Sequence, residues 1–391
     1  MNNVVLTLNA GSSSLKFALH SVKDPLAPVL RGKVTGLKRA PEFSVSVPKD
    51  AGLPLPMLDP ACTHEEATVI LLDWLAAHAA QHVIKAVGHR VVHGGTVFDG
   101  PTRVDAAKLA QMAELTPLAP LHQPHNLAAI RLIAERAPAL PQVACFDTSF
   151  HATQPEVNRL FALPYEMSQQ GLKRYGFHGL SYAFIASTLP AHLGADADGR
   201  VVVAHLGNGA SLCAMKNRKS VATTMGFTAL DGLVMGRRSG RIDPGVILHL
   251  VQQRGMSVPE IDALLYQQSG LLGVSGISNA MQDLEASDAP RAKLAIDLFC
   301  YRAACEIAGL IPAIGGLDAL IFTAGIGENS AATRAAICDQ LTWLGVEVDR
   351  FANETGAMVI STPEATCKVL VIPTNEDAVI AQSTIEMAAL L

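Results

Sequence analysis

The chain has 391 residues, of which 49% are hydrophobic and 17% charged, with a formal net charge of −5. That length exceeds what one hydrophobic core usually serves, so two domains are expected, and the lack of a basic surplus argues against nucleic acid as a partner. The seven cysteines (Cys62, Cys145, Cys213, Cys300, Cys305, Cys338, Cys367) are odd in number and scattered, which suits reduced thiols in a cytoplasmic protein rather than a disulfide framework.

The first elements read as a hairpin. "NNVVLTLNA" and "SLKFALH" are strand-like runs on either side of a turn made of a glycine and three serines. The turn has the contents of a phosphate loop without the Gly-x-x-x-x-Gly-Lys spacing, and no helical pattern follows it. There is no basic segment ahead of the first apolar run, which breaks at Asn9, so it does not read as a signal peptide. Residues 65–80 are helical in period, and 84–95 ("IKAVGHRVVHGG") form a buried strand running into glycines. "DAAKLAQMAEL" and "HNLAAIRLIAERA" are helices, and 141–151 ("PQVACFDTSFH") is a strand ending in polar groups. Residues 199–216 ("GRVVVAHLGNGASLCAMK") repeat the order strand, Gly-rich turn, strand. A long helix follows from Pro290, then a strand and turn at "DALIFTAGIGENS", a helix at "SAATRAAICDQLTWLG", and a closing strand and helix at "CKVLVIPTNEDAVIAQSTIEMAAL". The stretch from Ala308 to Gly327 is the most membrane-like, but Pro312, several glycines and Asp318 interrupt it, so no membrane span is expected. This alternation of strands and helices is that of an α/β protein.

Offset by 197 residues, "VVLTLNAGSSSLKFAL" (4–19) lies over "VVVAHLGNGASLCAMK" (201–216). Both are apolar strands around a turn of Gly, Ser and Asn, with Ser-Leu in register. Together with the matching element order, this suggests a duplicated fold in which each half offers a polar hairpin turn. Backbone N–H groups in such a turn make an anion-binding concavity, and serine hydroxyls add donors. An ordinary surface hairpin is the alternative for the first turn taken alone.

Other polar residues sit where apolar neighbours make them conspicuous. His89 and His93 have a spacing that would suit a metal on a helix, but on a strand they lie about 13 Å apart, too far to share one ion. Arg90, at the end of the same strand, needs an anionic partner. Asp147 sits at a strand end, where active-site carboxylates often lie in open α/β sheets. His178 stands beside Gly176 and Gly179, which allow close approach of a backbone or ligand. Arg237, Arg238 and Arg241 crowd "MGRRSGRIDPG"; a solvated basic loop is the bland reading. Gly325 and Gly327 are expected in a turn between a strand and a helix opened by Asn329 or Ser330, a context that suits a nucleotide. Glu376 lies between a strand and a helix, as a helix-start carboxylate or a metal ligand.

In this order, "LNAGSSSLKF", "GHRVVHGG", "FDTSFH", "RYGFHGLS", "HLGNGAS", "MGFTALDGLVMG", "RSGRIDPG", "FTAGIGENS" and "TNEDAVIA" resemble the motif set of the acetate kinase family. The resemblance runs from Asn9 to beyond Glu376. It implies an actin-like ATPase fold of two duplicated ribonuclease H-like domains, residues 1–149 with 376–391 and residues 150–375, with a nucleotide cleft between them and a homodimer built through the second. It implies reversible transfer of the γ-phosphoryl group of ATP to a short carboxylate, with Mg²⁺, or Mn²⁺ in its place. By the same resemblance Asn9 and Glu376 would hold the metal, and Ser12 and Lys16 would contact phosphate. Arg90 would bind the substrate carboxylate, and His178 and Arg238 would stabilise the transferring group. Asp147 would act as acid–base or orient an arginine or the metal shell. His205, Leu206, Gly207, Asn208 and Gly209, with Gly325, Ile326, Gly327, Glu328 and Asn329, would line the phosphates and adenosine. Ala280, Met281 and Gln282 would lie near the adenosine, and Val92, Leu121, Phe177 and Ala229 would wall the acyl pocket.

The residues agree with that chemistry. A carboxylate is already ionised at neutral pH, so no strong base is needed. The obstacle is bringing one anion to another and spreading charge in a metaphosphate-like transition state, which calls for Arg, His, Lys and metal. Some positions depart from the family pattern. Ala280 and Gln282 replace an Asp and an Arg, Ala229 replaces a Pro, Arg237 and Arg241 stand where Thr and Asp are common, and Leu180 and Tyr182 where Thr and His are common. Acetate is the expected acceptor and propionate a further one; a propionate or butyrate kinase is the near alternative. An actin-like ATPase switch or assembly protein, or a sugar kinase on the same fold, is the rival from another class.

Overall fold

A computed structural model describes residues 2–11, 13–46, 52–120 and 122–390; Ser12 and Leu121, both candidate site residues, lie outside these. The chain forms two compact units, Met1–Phe150 with Asn375–Leu391, and His151–Thr374.

The first unit is built on one mixed sheet. Its strands are β1 (Asn2–Ala10), β2 (Ser14–Ser21), β3 (Pro28–Thr35), β4 (Glu42–Ser46), β5 (His82–Val91), β6 (Thr102–Arg103) and β7 (Gln142–Phe146), in the order β4-β3-β2-β1-β5-β7-β6. The opening hairpin is antiparallel, pairing Asn9 with Lys16 and Ala10 with Leu15; β5 runs parallel to β1, and β7 parallel to β5. The period of two decides what each face carries. Val4, Leu6 and Leu8 point into a core with Leu71, Trp74 and Leu75 of helix His64–His78. Val5 points the other way, into a core with Ala86, Ala381 and Ile385, the last two from helix Glu376–Met387. Gly88 lies under that helix: a Cβ there would sit 2.6 Å from Ile380 Cγ2 and overlap Thr384. Asn9 shares the face of Val5, and Arg90 that of Ala86 and Gly88, so both reach toward the start of the closing helix, where Glu376 stands.

The strand read through 84–95 ends earlier, at Val91. Past that point side chains take over the backbone. Val92 N–H donates to Asn126 Oδ1 at 3.1 Å and His93 N–H to Gln123 Oε1 at 3.3 Å, so the ladder stops without stranding buried donors.

The second unit repeats the plan. Its strands are β8 (Arg200–Leu206), β9 (Ala210–Lys216), β10 (Lys219–Thr223), β11 (Ala319–Thr323) and β12 (Lys368–Val371), in the order β10-β9-β8-β11-β12. β8–β10 form an antiparallel meander, and β11 and β12 add in parallel. Stripped of the edge strands β4 and β6, the first sheet has the same order and directions. The two hairpins that align in sequence are thus the same hairpin in two sheets. Helix Pro290–Ile314 packs on β9 and β10, and helix Gly179–Leu193 on β8.

The glycines of "FTAGIGENS" are placed differently from expectation. There is no turn before the helix: Ala324–Asn329 is itself a short helix entered straight from β11. A second helix, Ala331–Asp339, follows, capped by Ser330, whose side chain accepts from Thr333 N–H. The tight entry is made by Ala324 at φ +66°, and Glu328 Oε1 accepts from Ala324 N–H at 2.7 Å. A carboxylate four residues on thus satisfies the first backbone donor, a device that a glycine count does not reveal.

Candidate functional site

In the first unit four polar groups converge where β1, β5 and β7 end. Asp147 follows β7 directly and is buried. Its two oxygens accept from Arg90 Nε at 3.0 Å and Nη2 at 2.6 Å, while Arg90 Nη1 donates to Asn9 Oδ1 at 3.1 Å. This planar two-point match holds the guanidinium plane rigidly. Burial works against the Arg90 charge, but the Asp147 carboxylate more than offsets it and keeps the group firmly protonated. A fifth of the Arg90 side chain is still exposed, and with three N–H groups committed the rest of the fork is available to an anion. Half-buried Glu376 has its carboxyl pushed up to about 7, first by burial; Asp147 and Asp377 add to the rise, and Arg90 and Lys16 oppose it. Lys16 is exposed on β2 opposite Asn9.

Asn126 and Gln123 were not singled out from sequence. Asn126 Nδ2 donates to Ala10 O at 2.7 Å while its Oδ1 takes Val92 N–H, so one amide ties the end of β1 to the segment after β5. Gln123 Nε2 donates to His93 O at 3.2 Å. The only signal was a polar start, "HQPHN", on an otherwise apolar helix. His89 turns away from Arg90 to Gln142 Oε1 at 2.8 Å. Among the described residues no group of three or more His, Cys, Asp or Glu side chains could hold a metal.

In the second unit the hairpin turn Gly207–Gly209 is the counterpart of the first unit's serine turn. Gly207 N–H donates to Gly209 O at 3.1 Å. Asn208 O accepts from Gly236 N–H, and its Oδ1 accepts from Asn279 Nδ2 at 3.1 Å. Two of the expected phosphoryl-stabilising side chains meet over this turn. A Cβ on Gly209 would lie 3.2 Å from Arg238 Nη2 and 3.3 Å from His178 Nε2, so the lack of a side chain there lets both tips approach. Arg238 Nη1 donates to Ala229 O at 2.7 Å. His178 is in the left-handed region at φ 56° and heads helix Gly179–Leu193. Its Nδ1 is 2.9 Å from Ser211 Oγ, and its ring stacks on His205 at 4.1 Å. His205 and Leu206 are buried.

The other candidates fall into place around these. Gly325 is open and exposed, with nothing within 4 Å of a Cβ position, and Asn329 Nδ2 returns to Gly325 O at 2.8 Å. Gly327 is buried and Ile326 half-buried. Glu328 also takes Thr374 N–H at 3.1 Å, so its carboxylate braces backbone inside the unit. Ala280 and Gln282 are exposed, whereas Met281 is buried. Phe177 is buried, its carbonyl 2.9 Å from His151 Nε2, and Ala229 is half-buried. Val92, the remaining wall residue, is buried in the first unit.

Residues 4–382 match the model of the acetokinase family. The chain belongs to the acetokinase family. Membership carries the activity with it, an ATP-dependent phosphorylation of acetate on a carboxyl oxygen. The chain is 51% identical to an acetate kinase of Rhodopseudomonas palustris and 47% identical to one of Nitrobacter hamburgensis. These alignments cover 99% of both chains in the first case, and 98% of this chain and 96% of the relative in the second. Among solved structures, a propionate kinase from Francisella tularensis matches with a TM-score of 0.92 at 36% identity, over 98% of this chain and 100% of that one. The acetate kinase of Porphyromonas gingivalis matches at 0.86 and 36%, over 98% and 99%. No helix of the described residues is long and apolar enough to cross a membrane.

Proposed function

We propose that this acetokinase transfers the γ-phosphoryl group of ATP reversibly to acetate, with Arg90 as the acceptor's anchor and His178 and Arg238 as the donors at the reacting phosphorus. The observation that carries this reading is the Arg90 fork, locked by Asp147 and Asn9 yet partly open. A guanidinium fixed at three of its five N–H groups keeps two that can receive a second carboxylate. The acceptor oxygen attacks phosphorus, the P–O bond to ADP breaks, and charge accumulates on the equatorial oxygens, where fixed N–H donors stabilise it. No proton need be removed, because acetate is ionised at neutral pH. Asp147 therefore acts by orienting Arg90; both of its oxygens are engaged there.

Asn9 and Glu376 fit a hard divalent cation. They offer oxygen donors, and a half-buried carboxyl raised to about 7 regains its charge beside a cation. Mg²⁺ keeps several waters and combines one or two protein oxygens with substrate phosphates, so a sparse donor set suits it, with Mn²⁺ as substitute. When bound, the metal neutralises phosphate charge. Ser12, Lys16, the turn at Gly207–Gly209 and the short helix through Gly325–Asn329 contact the nucleotide, with Ala280 and Gln282 beside its base. The six buried unpaired thiols suit a reducing cytoplasm. Exposed Val246, Leu248 and Val251 on helix Pro244–Gln252 suit a homodimer contact.

Ala229 supports propionate as a further acceptor. Its small side chain leaves room for a methylene worth about 0.8 kcal/mol when buried, and one structural relative is a propionate kinase. Hydroxamate trapping with acetate, propionate and butyrate tests the whole reading. Arg90→Ala should raise the KM for acetate by about 10²-fold, the worth of a charge-assisted hydrogen-bond pair, with a far smaller change for ATP. Equal effects on both substrates overturn the anchor. Ala229→Pro should lower the propionate-to-acetate ratio of kcat/KM about three- to tenfold; an unchanged ratio removes Ala229 from the pocket wall.

A further inference from the structure

His178 is held by residues outside its own loop. Its Nδ1 lies 2.9 Å from Ser211 Oγ, and Ser211 Oγ lies 2.5 Å from the hydroxyl of Tyr182. Both hydroxyl residues are completely buried. Tyr182 sits one helical turn after His178, and its N–H donates to His178 O at 3.1 Å. Ser211 is paired with His205 across β8 and β9, so the same pair of strands supplies both Ser211 and the ring on which His178 stacks. His205 is fixed in turn by Ser181 Oγ at 2.8 Å, and Ser181 donates to Thr374 Oγ1 at 2.9 Å. Burial drives the Tyr182 hydroxyl well above its ordinary range, so it stays protonated and able to donate.

We propose that Tyr182 and Ser211 form a hydroxyl relay that sets the tautomer of His178. The Tyr182 hydroxyl donates to Ser211 Oγ, Ser211 Oγ–H donates to His178 Nδ1, and the imidazole proton is thereby kept on Nε2. No bond is made or broken; the relay only chooses which nitrogen carries the proton. That nitrogen is the one beside Arg238 Nη2 over the Gly209 turn. With the proton on Nε2, His178 offers an N–H to phosphate oxygens. With the other tautomer it turns a lone pair toward an anion. The choice matters because His178 heads a helix of fifteen residues with its Nε2 over the Gly209 turn, and only one neutral tautomer presents an N–H from that nitrogen. Tyr182 and Ser211 are positioning residues, and the proposal rests on the reading of His178 as a phosphoryl-stabilising group.

The test uses the full chain with ¹⁵N-labelled histidine. In the parent, long-range ¹H–¹⁵N spectra should show His178 with bare Nδ1 and protonated Nε2. Tyr182→Phe and Ser211→Ala should mix the tautomers and lower kcat about tenfold, the worth of one buried hydrogen bond, with KM for ATP and acetate moving less than threefold. Ser211→Thr, which keeps a hydroxyl, should restore both readouts. In a His178→Gln background, Ser211→Ala should cost nothing more, whereas a merely structural serine would still lower kcat. Should Ser211→Ala fail to fold, Tyr182→Phe, which removes one oxygen, carries the test alone. Hydroxyl variants that leave tautomer and kcat unchanged while His178→Gln loses about 10³-fold overturn the relay alone. A His178→Gln enzyme within tenfold of the parent overturns the reading of His178, and the relay's part in the reaction with it.

Discussion

Arg238 Nη1 donates to Ala229 O, and its Nη2 lies over Gly209, a posture that suits a charge used mainly as phosphorus changes partners. Arg238→Ala should lower kcat by about 10³-fold with a smaller change in the KM for ATP; steady-state rates with kcat within tenfold of the parent would refute that role. His89 illustrates the opposite kind of residue, a titratable group used for stability alone. Burial pushes its imidazole down to about 4, against a hydrogen bond to Gln142 that pulls the other way. The unfolded chain takes up a proton near pH 6.5 and the folded one near 4, so stability is full above 6.5 and falls as pH drops through that window. His93, also pushed down to about 4 by burial, adds in the same direction. Urea midpoints should fall from pH 7 to pH 4.5, with His89 contributing the equivalent of about 2 kcal/mol, and His89→Gln should narrow the difference by about that amount. A midpoint that rises on acidification contradicts the assignment.

The elements show what could and could not be read in advance. The two hairpins were legible because a hairpin is local: two apolar runs, a turn of Gly, Ser and Asn, and a repeat 197 residues later that became the same strand pair in a second sheet. The early end of β5 was not legible, because it depends on Asn126 and Gln123, which arrive from a helix more than thirty residues on. Likewise nothing near His178 in sequence announces Ser211. Asp147 and Arg90 were legible as unusual residues at strand ends, but only the fold shows them paired. Gly88 is the clearest case of packing that reaches the site. It gives helix Glu376–Met387 its close seat on β5, and the same helix begins with Glu376. Gly88→Ala should cost about 1–3 kcal/mol of overpacking strain and raise the KM for acetate, because Arg90 and Glu376 lie at the two ends of the displaced contact. A variant as stable as the parent in urea melts, with unchanged KM, would mean that the helix has slack the structure does not show.

At the scale of the whole chain, the closing helix belongs to the unit that the first residues begin. Native-state hydrogen exchange should therefore group the amides of Glu376–Met387 with those of β1 and β5, and those of β8, β11 and β12 in a second cooperative set. ADP should raise protection in the second set first, in proportion to the logarithm of its concentration. Exchange of the closing helix in step with β11 and β12 would contradict that division. The same discontinuity bears on how the protein is made. On the ribosome, the sheet face carrying Val5, Ala86 and Gly88 must wait for its cover while the whole of His151–Thr374 is synthesised, a delay of roughly 10 to 45 seconds at ordinary elongation rates. The second unit can close during that interval, but the nascent first one keeps an apolar face bare and is a natural client for chaperones. Glu376 is made only after all of His151–Thr374, so the Arg90 face cannot gain its neighbouring carboxyl until the second unit has been synthesised.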